Sequence, residues 1–380
     1  MLSDLGAEVI KVEPPEGDLT RFAYPRVGSM STYFAQQNVG KLNVSLDLKK
    51  PAAVDIIKRL VPLCDVIVEN YRPGVMDKMG LGHPELVAIN PRLIHASITG
   101  YGNTGPWRHR RAYAPVVNAE TGLTGLQASS HRAEPVNDPH SHADVYSGME
   151  AAAAILAALY QRTTTGRGRF IDVSMAQTML YVNEHVHNEL FDREVPSDQI
   201  RSFQPGDYPI LRTADGRSVI VSGHPAERGT FDLYVAAMQM PELFDDPRFV
   251  DVGSRLAHID ELLTVIRDWA ATVSSPDALE VIFHEVGLAM GNLRTIEELA
   301  DTDWARDRGA VISVDDRSGG TFRVPNAPWR FSDVDLTTRG EPKFRGEDNA
   351  EILRSLLGMT DEEIRGLTDA GVLSIRMPKS

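Results

Sequence analysis

The sequence predicts an α/β fold divided into two lobes. Three observations carry this expectation. Short β-rich runs alternate with helix-period apolar patterns through the first half of the chain, the signature of parallel βαβ units. The pattern changes near the middle, where a hairpin signal appears. The length, 380 residues of which 42% are hydrophobic, exceeds what one ordinary compact core holds.

The elements follow in order. Residues 8–13 read as a strand, stopped by Pro14-Pro15. Pro51 opens a helix whose Ala53, Val54, Ile56, Ile57, Leu60 and Val61 share one face. Residues 64–68 and 93–98 are the next strands. Residues 145–162, rich in alanine and leucine and stopped by Thr163-Thr164-Thr165-Gly166, form a helix. Residues 170–173 are a strand and 176–190 a long helix. The aperiodic stretch 202–209, bearing Pro and Gly, marks a lobe boundary. Runs at 210–212 and 219–221 flank Asp215-Gly216 as a hairpin. Helices over 256–271 and 277–285, strands at 311–314 and 321–324, and two tail helices complete the chain. Thr360 and Glu363 form a capping box for the last of them.

Composition excludes several classes. The net charge of −14 repels nucleic acid and anionic membrane. The longest apolar run, 151–160, has the length of a buried helix and not of a membrane span. No signal peptide opens the sequence. The single cysteine, Cys64, allows no internal disulfide and fits a reducing cytoplasm.

Four features are candidates for chemistry. Gly100-Tyr101-Gly102-Asn103-Thr104-Gly105 matches a dinucleotide fingerprint, but Pro106-Trp107 follow at once. No helix opens there to receive a pyrophosphate, so a nicotinamide site is not expected. Arg108-His109-Arg110-Arg111, then Tyr113, is a basic run in an acidic chain. It reads either as a solvated loop or as a clamp for a polyphosphate such as the ADP moiety of coenzyme A. His140, His142 and Asp144 alternate as in a strand, with two imidazoles and a carboxylate on one face, and His185 and His187 form another pair. No H-E-x-x-H or Cys/His cluster supports a metal, and none is expected. Asp144 stands just before the helix 145–162. It reads as an N-cap that bonds free amides, or as a carboxylate kept ionised by the helix dipole and able to attack a thioester. Ser147-Gly148 and the alanines after it leave room for a ligand.

The chain resembles the family III coenzyme A transferases, the group that includes formyl-CoA transferase, carnitine-CoA transferase and the α-methylacyl-CoA racemases. The likeness runs over nearly the whole sequence. It rests on Leu5-Gly6-Ala7-Glu8-Val9-Ile10-Lys11-Val12-Glu13-Pro14, Asp65-Val66-Ile67-Val68-Glu69-Asn70-Tyr71-Arg72-Pro73-Gly74, Met79-Gly80-Leu81-Gly82, Asn90-Pro91-Arg92-Leu93-Ile94, the glycine loop 100–106, residues 144–148, Thr165-Gly166-Arg167-Gly168 and Asp172-Val173-Ser174. The resemblance implies a Rossmann-like large domain with a smaller inserted α+β domain, in a homodimer of interlocked rings. The division would be 1–205, 206–305 and 306–380. It implies that Asp144 is the nucleophile, forming first an aspartyl-acyl anhydride and then an aspartyl-CoA thioester. It places Leu46, Lys49, Asn70, Tyr71, Arg72, Lys78, Arg111 and Tyr113 against coenzyme A. The thioester is substrate, a carboxylic acid is acceptor, and no cofactor is involved.

The racemase branch has a histidine where this chain has Tyr113, and tyrosine is a poor base at neutral pH. A transferase is therefore expected, with racemase-type proton transfer and a non-catalytic CoA-binding protein as the rival readings. Departures from the family pattern are Val39 and Leu42 in place of arginines, and Phe203-Gln204-Pro205-Gly206-Asp207 in place of a glycine-rich flap, which argues against formate. The resemblance also implies a βα unit, on the order of 20–30 residues, ahead of the segment matching Leu5-Gly6-Ala7, to which nothing in these 380 residues is expected to correspond.

Overall fold

The computed structural model describes residues 1–131, 133–192, 205–334 and 336–376. The chain divides into two compact units, Met1–Phe191 with Asp303–Ser380, and Asp192–Thr302. Part of the expected lobe boundary, and Phe203-Gln204 of the expected flap stretch, lie outside the described residues.

In the first unit, β1 (Ile10–Glu13) pairs in parallel with β2 (Leu42–Ser45). A second parallel sheet contains β3 (Val66–Glu69), β4 (Ile94–Thr99) and β5 (Phe170–Ser174), in that order. The helices that place the functional residues are α1 (Pro51–Leu60), α2 (Val75–Lys78), α3 (His83–Ile89), α4 (Ala114–Glu120), α5 (His142–Thr165) and α6 (Met175–Tyr181). The longest, α5, ends where Gly166 takes a left-handed φ of 67° and donates its N–H back to Arg162. On its buried face, Ile155 and Ala158 pack on fully buried Ile94 and Ala96 of β4.

The second unit has an antiparallel sheet of β6 (Ile210–Arg212), β7 (Ser218–Ser222) and β8 (Ala289–Asn292), with β7 central. The hairpin β6–β7 turns at Gly216, whose φ of 84° suits glycine. Phe231, Tyr234, Phe249, Leu262, Ile266 and Phe283 fill its core. The chain then returns to the first unit through the antiparallel pair β9 (Val311–Asp315) and β10 (Thr321–Pro325), then α7 (Asn349–Leu357) and α8 (Asp361–Asp369). The Thr360–Glu363 capping box opens α8 as expected.

This returning segment closes the edge of β2. The Asn43 N–H donates to Asp348 Oδ2 at 2.7 Å, the Ser45 N–H to Asn349 Oδ1 at 2.9 Å, and the Gly346 N–H to Asn43 Oδ1 at 2.7 Å. Side chains thus satisfy backbone groups that a neighbouring strand would otherwise take. Behind them Val44, Leu46, Ala53, Ile56 and Leu60 pack on Ile352, Leu353, Ile364 and Leu373.

Several elements differ from the sequence reading. The helix expected at 145–162 begins at His142 and runs to Thr165. The long helix expected at 176–190 is two, α6 and a single turn Val186–Glu189. Between them Asn183 Oδ1 accepts the His185 N–H at 3.0 Å, a local turn that competes with the helical ladder. Strand β2 was not anticipated.

One buried charge pins the first sheet. Glu13 is 1% exposed, and it accepts from Arg21 Nε at 2.8 Å and Nη2 at 2.7 Å, from Asn43 Nδ2 at 2.5 Å and from the Asp18 N–H at 2.9 Å. Burial pushes its carboxyl up, but Arg21 and the other donors outweigh that, so it titrates below its ordinary 4.5. A carboxylate depressed in the folded state stabilises above the unfolded value and loses that contribution as pH falls through the folded one. Glu13→Ala strands Arg21 and Asn43, and is expected to lower the unfolding free energy by about 3 kcal/mol at neutral pH in a urea titration. Repeated in acid below the glutamate range, the gap between wild type and variant should narrow.

Candidate functional site

Ser141 holds the N-cap position of α5 but makes no capping bond through its side chain. Asp144 is therefore inside the first turn, three positions along, and is not the N-cap that the sequence suggested. The early start also removes the strand-like alternation read into His140, His142 and Asp144. Ala143, beside it, is fully buried against Ala114, Val117, Met175 and Met179 of α4 and α6. That contact turns Asp144 outward. Its carboxylate is exposed, and among the described residues it has no hydrogen-bond or ion-pair partner. Crowding by neighbouring atoms still raises it above the ordinary aspartate value of 3.8. The cause is partial desolvation, which disfavours the charged form.

One turn further along the same face stands Gly148. A Cβ there would meet nothing within 4 Å. Between them Ser147 is fully buried, and among the described residues its Oγ has no partner. The first turn of α5 thus offers an unpaired carboxylate, an open notch at Gly148, and amides whose helical partners are missing.

The residues expected to contact coenzyme A fall into three groups. Asn70, Tyr71 and Arg72 leave the C-terminal end of β3, all exposed, with the Tyr71 N–H donating to Glu69 Oε2 at 2.7 Å. Lys78 ends α2 and is exposed as well. Arg72 joins Arg108 and His109 around a cleft of about 330 Å³ that also holds Glu69, His83, His95, Ser97, Asn103 and Phe170. Arg111 and Tyr113 are exposed at the end of the glycine loop, and Tyr113 is the residue before α4. Lys49 is exposed, with Nζ 3.9 Å from Glu16 Oε1. Leu46 is different: its side chain is fully buried among Ile56, Leu353 and Leu373. It is a core residue, and its side chain cannot meet a ligand. Asp144 does not line the 330 Å³ cleft.

The glycine loop opens no helix between residues 100 and 113, in line with the rejected dinucleotide reading. Gly100 is required there, because a Cβ would fall 2.1 Å from Ala112 Cβ. Asn103 anchors the loop to β5, donating its N–H to Asp172 Oδ2 at 3.0 Å and Nδ2 to Asp172 Oδ1 at 2.9 Å. The basic run is not one patch. Arg110 lies over Trp107 at 4.3 Å and Tyr101 at 5.2 Å and pairs with Glu120, so it is a structural strut. Arg108 faces the cleft.

The polar floor of that cleft escaped the sequence reading. His95 is 2% exposed, and among the described residues neither ring nitrogen has a hydrogen-bond partner. Burial brings its imidazole down to about 4, so it is neutral at physiological pH. Glu69 Oε1 lies 3.9 Å away, and burial raises that carboxyl. The signal was present: His95, Ser97 and Thr99 alternate with Ile94, Ala96 and Ile98, and one polar face is unusual for a strand of a parallel sheet.

Comparison with known proteins identifies the family and the fold. The family model described as CoA-transferase family III matches residues 1–349. The chain is 31% identical over 98% of its length to succinyl-CoA:glutarate CoA-transferase of Mus musculus, covering 85% of that protein. It is 32% identical over 96% to succinyl-CoA–D-citramalate CoA-transferase of Chloroflexus aurantiacus, covering 90% of it. It is 30% identical over 98% to formyl-CoA:oxalate CoA-transferase of Streptomyces avermitilis, covering 94% of it. A CAIB/BAIF family protein from Brucella suis superposes with a TM-score of 0.79 at 30% identity, over 93% of both chains. The fold is thus the mixed α/β architecture of that group, built here on several small sheets.

Leu46 separates packing from ligand contact. Leu46→Ala is expected to cost about 2–4 kcal/mol of stability in a urea titration, with the KM for an acyl-CoA unchanged in the fraction that stays folded.

Proposed function

The chain belongs to CoA-transferase family III, and from that premise we propose that it moves CoA from an acyl-CoA to a free carboxylic acid through Asp144. The observation that carries the reading is the exposed, unpartnered carboxylate on the first turn of α5, beside the open notch at Gly148.

Each step balances without an outside reagent. An Asp144 carboxylate oxygen attacks the donor's thioester carbonyl, the C–S bond breaks, and CoA leaves as thiolate from a mixed anhydride. The thiolate attacks the aspartyl carbonyl and expels the donor's carboxylate, leaving an aspartyl-CoA thioester. The acceptor carboxylate attacks that carbonyl and again releases the thiolate. The thiolate then takes the acceptor's acyl group and frees Asp144. The amides of the first helical turn, which lack acceptors within the helix, would steady the oxyanions. Crowding helps too: it raises the carboxyl above its ordinary value, and a more basic carboxylate is a better nucleophile.

Arg72 and Arg108 at the cleft, with Lys49, Lys78 and Arg111, are the cations proposed for the phosphates of CoA, with Asn70, Tyr71 and Tyr113 beside them. Tyr113, an exposed phenol, supports transfer over racemisation. The relatives named above act with glutarate, D-citramalate or oxalate, so dicarboxylic acids are the acceptors to try first. We extend the reading to a cytoplasmic homodimer of interlocked chains. Val145, Met149, Leu156 and Tyr160 form an exposed stripe along α5 that a second copy would cover. Among the described residues no helix is long and apolar enough to cross a membrane.

Asp144→Ala and Asp144→Asn are expected to lower transfer by a factor on the order of 10³ or more, with circular dichroism unchanged. Wild-type enzyme incubated with acyl-CoA and hydroxylamine should carry a hydroxamate at Asp144 in peptide mass spectra. Turnover that survives in either variant would remove the proposal. Arg72→Ala is expected to raise the KM for acyl-CoA by roughly tenfold, the cost of about one charge-assisted phosphate contact, with kcat changed less.

A further inference from the structure

The loop leading into α5 holds a cluster that the transfer reaction does not use. Asp138 has a side chain only 8% exposed, and both of its oxygens face imidazoles. His140 Nδ1 lies 3.0 Å from Oδ1, and His142 Nδ1 lies 2.7 Å from Oδ2. The His140 N–H also donates to Oδ1 at 2.8 Å, which fixes the loop around the carboxylate. One ligand atom from each of the three residues falls within 4.8 Å of the others. The rings are held in place. His140 and His142 stack at 5.3 Å with 14° between their planes, and His142 stacks in turn on Tyr146 at 5.5 Å and 13°. His142 and Tyr146 are one helical turn apart on α5, so the helix itself sets that ring's position.

We propose that Asp138, His140 and His142 form a binding site for a divalent transition-metal cation of the zinc type. The donor set argues for the class. Two imidazole nitrogens and one carboxylate oxygen suit Zn²⁺, Ni²⁺ or Cu²⁺, whereas Ca²⁺ and Mg²⁺ take oxygen. Zinc bonds of about 2.0–2.2 Å in tetrahedral array place ligand atoms ~3.3 Å apart. The spacings of 3.0 Å to Oδ1 and 2.7 Å to Oδ2 are those of hydrogen bonds, so an ion would displace these protons and open both pairs toward that separation. Both imidazoles can bind through Nδ1 by carrying their proton on Nε2, and His140 is 72% exposed, which gives an ion a way in. Three protein ligands leave further positions to water. The ion would tie the loop to the first turn of α5. The carboxylate in the set is Asp138; Asp144 is outside the cluster.

The test uses the untagged full chain, stripped with EDTA, loaded with Zn²⁺ alone and desalted. Elemental analysis is expected to find one more zinc per chain in the wild type than in His140→Ala/His142→Ala or in Asp138→Asn. A Cu²⁺-loaded sample should show coupling to two nitrogens by electron paramagnetic resonance, reduced to one in His140→Ala. Zinc should also slow hydrogen exchange in residues 138–142 of the wild type and not of the variants. The metal-free variants should melt with the metal-free wild type, so a lost equivalent would report the site and not unfolding. A wild type that retains no zinc, or a double variant that retains as much as wild type, would overturn the proposal.

Discussion

The close contact between α5 and the sheet beneath it is the constraint on which the site depends. Ala143, Ser147, Ala151, Ala152, Ile155 and Ala158 are buried along one side of a 24-residue helix. They meet Ile94 and Ala96 of β4 at one end and Ala114 and Val117 of α4 at the other. Small side chains bring the helix axis close to the strands. A larger residue at Ala151 or Ala143 would lever α5 away, since a close-packed interior has no slack to absorb the added volume. The carboxylate of Asp144 is carried on the first turn of this lever, so a displacement along the helix reaches it directly. The same packing leaves the opposite side of α5 apolar and open, which is why one helix serves both the catalytic proposal and the proposed contact with a second chain.

Much of the fold was legible because it is written locally. Proline at the start of α1, the Asp215-Gly216 turn and the Thr360–Glu363 box each act within a few residues, and each stands where the sequence put it. What was missed depends on distant parts of the chain. Strand β2 is bounded by the side chains of Asp348 and Asn349, some three hundred residues away, and no local pattern announces such a partner. The start of α5 was misplaced because His140-Ser141-His142-Ala143-Asp144 alternates like a strand, while burial of Ala143 against α4 and α6 pulls the segment into the helix. Likewise, family resemblance set Leu46 against a ligand, and only the packing shows that its side chain is core.

The arginines follow the same division between local reading and tertiary use. In a chain of net charge −14, any run of cations invites a binding role. Yet Arg21 is consumed by buried Glu13, Arg110 by Trp107, Tyr101 and Glu120, and Arg255 by the carbonyls of Phe249 and Ala226. Sequence clustering does not separate such struts from the guanidinium groups that line the cleft. Exposure at a cleft rim does, and by that criterion Arg72 and Arg108 are the cations of consequence.

The carboxylates make the strongest argument for the proposed chemistry, because the fold treats them so differently. Glu13 has both oxygens occupied by four donors and is held below its ordinary value. Asp172 accepts from the loop through Asn103, and Asp138 lies between two imidazoles. Lone pairs engaged in this way are poor nucleophiles, since attack would first have to break the bonds that hold them. Among the described residues Asp144 has no such bonds. It is raised by crowding, stands at the surface, and has open space one turn along at Gly148. A carboxylate whose only task was to secure the start of a helix would be expected to hydrogen-bond the helix's free amides. Asp144 does not, and those amides remain available to a ligand's oxygen.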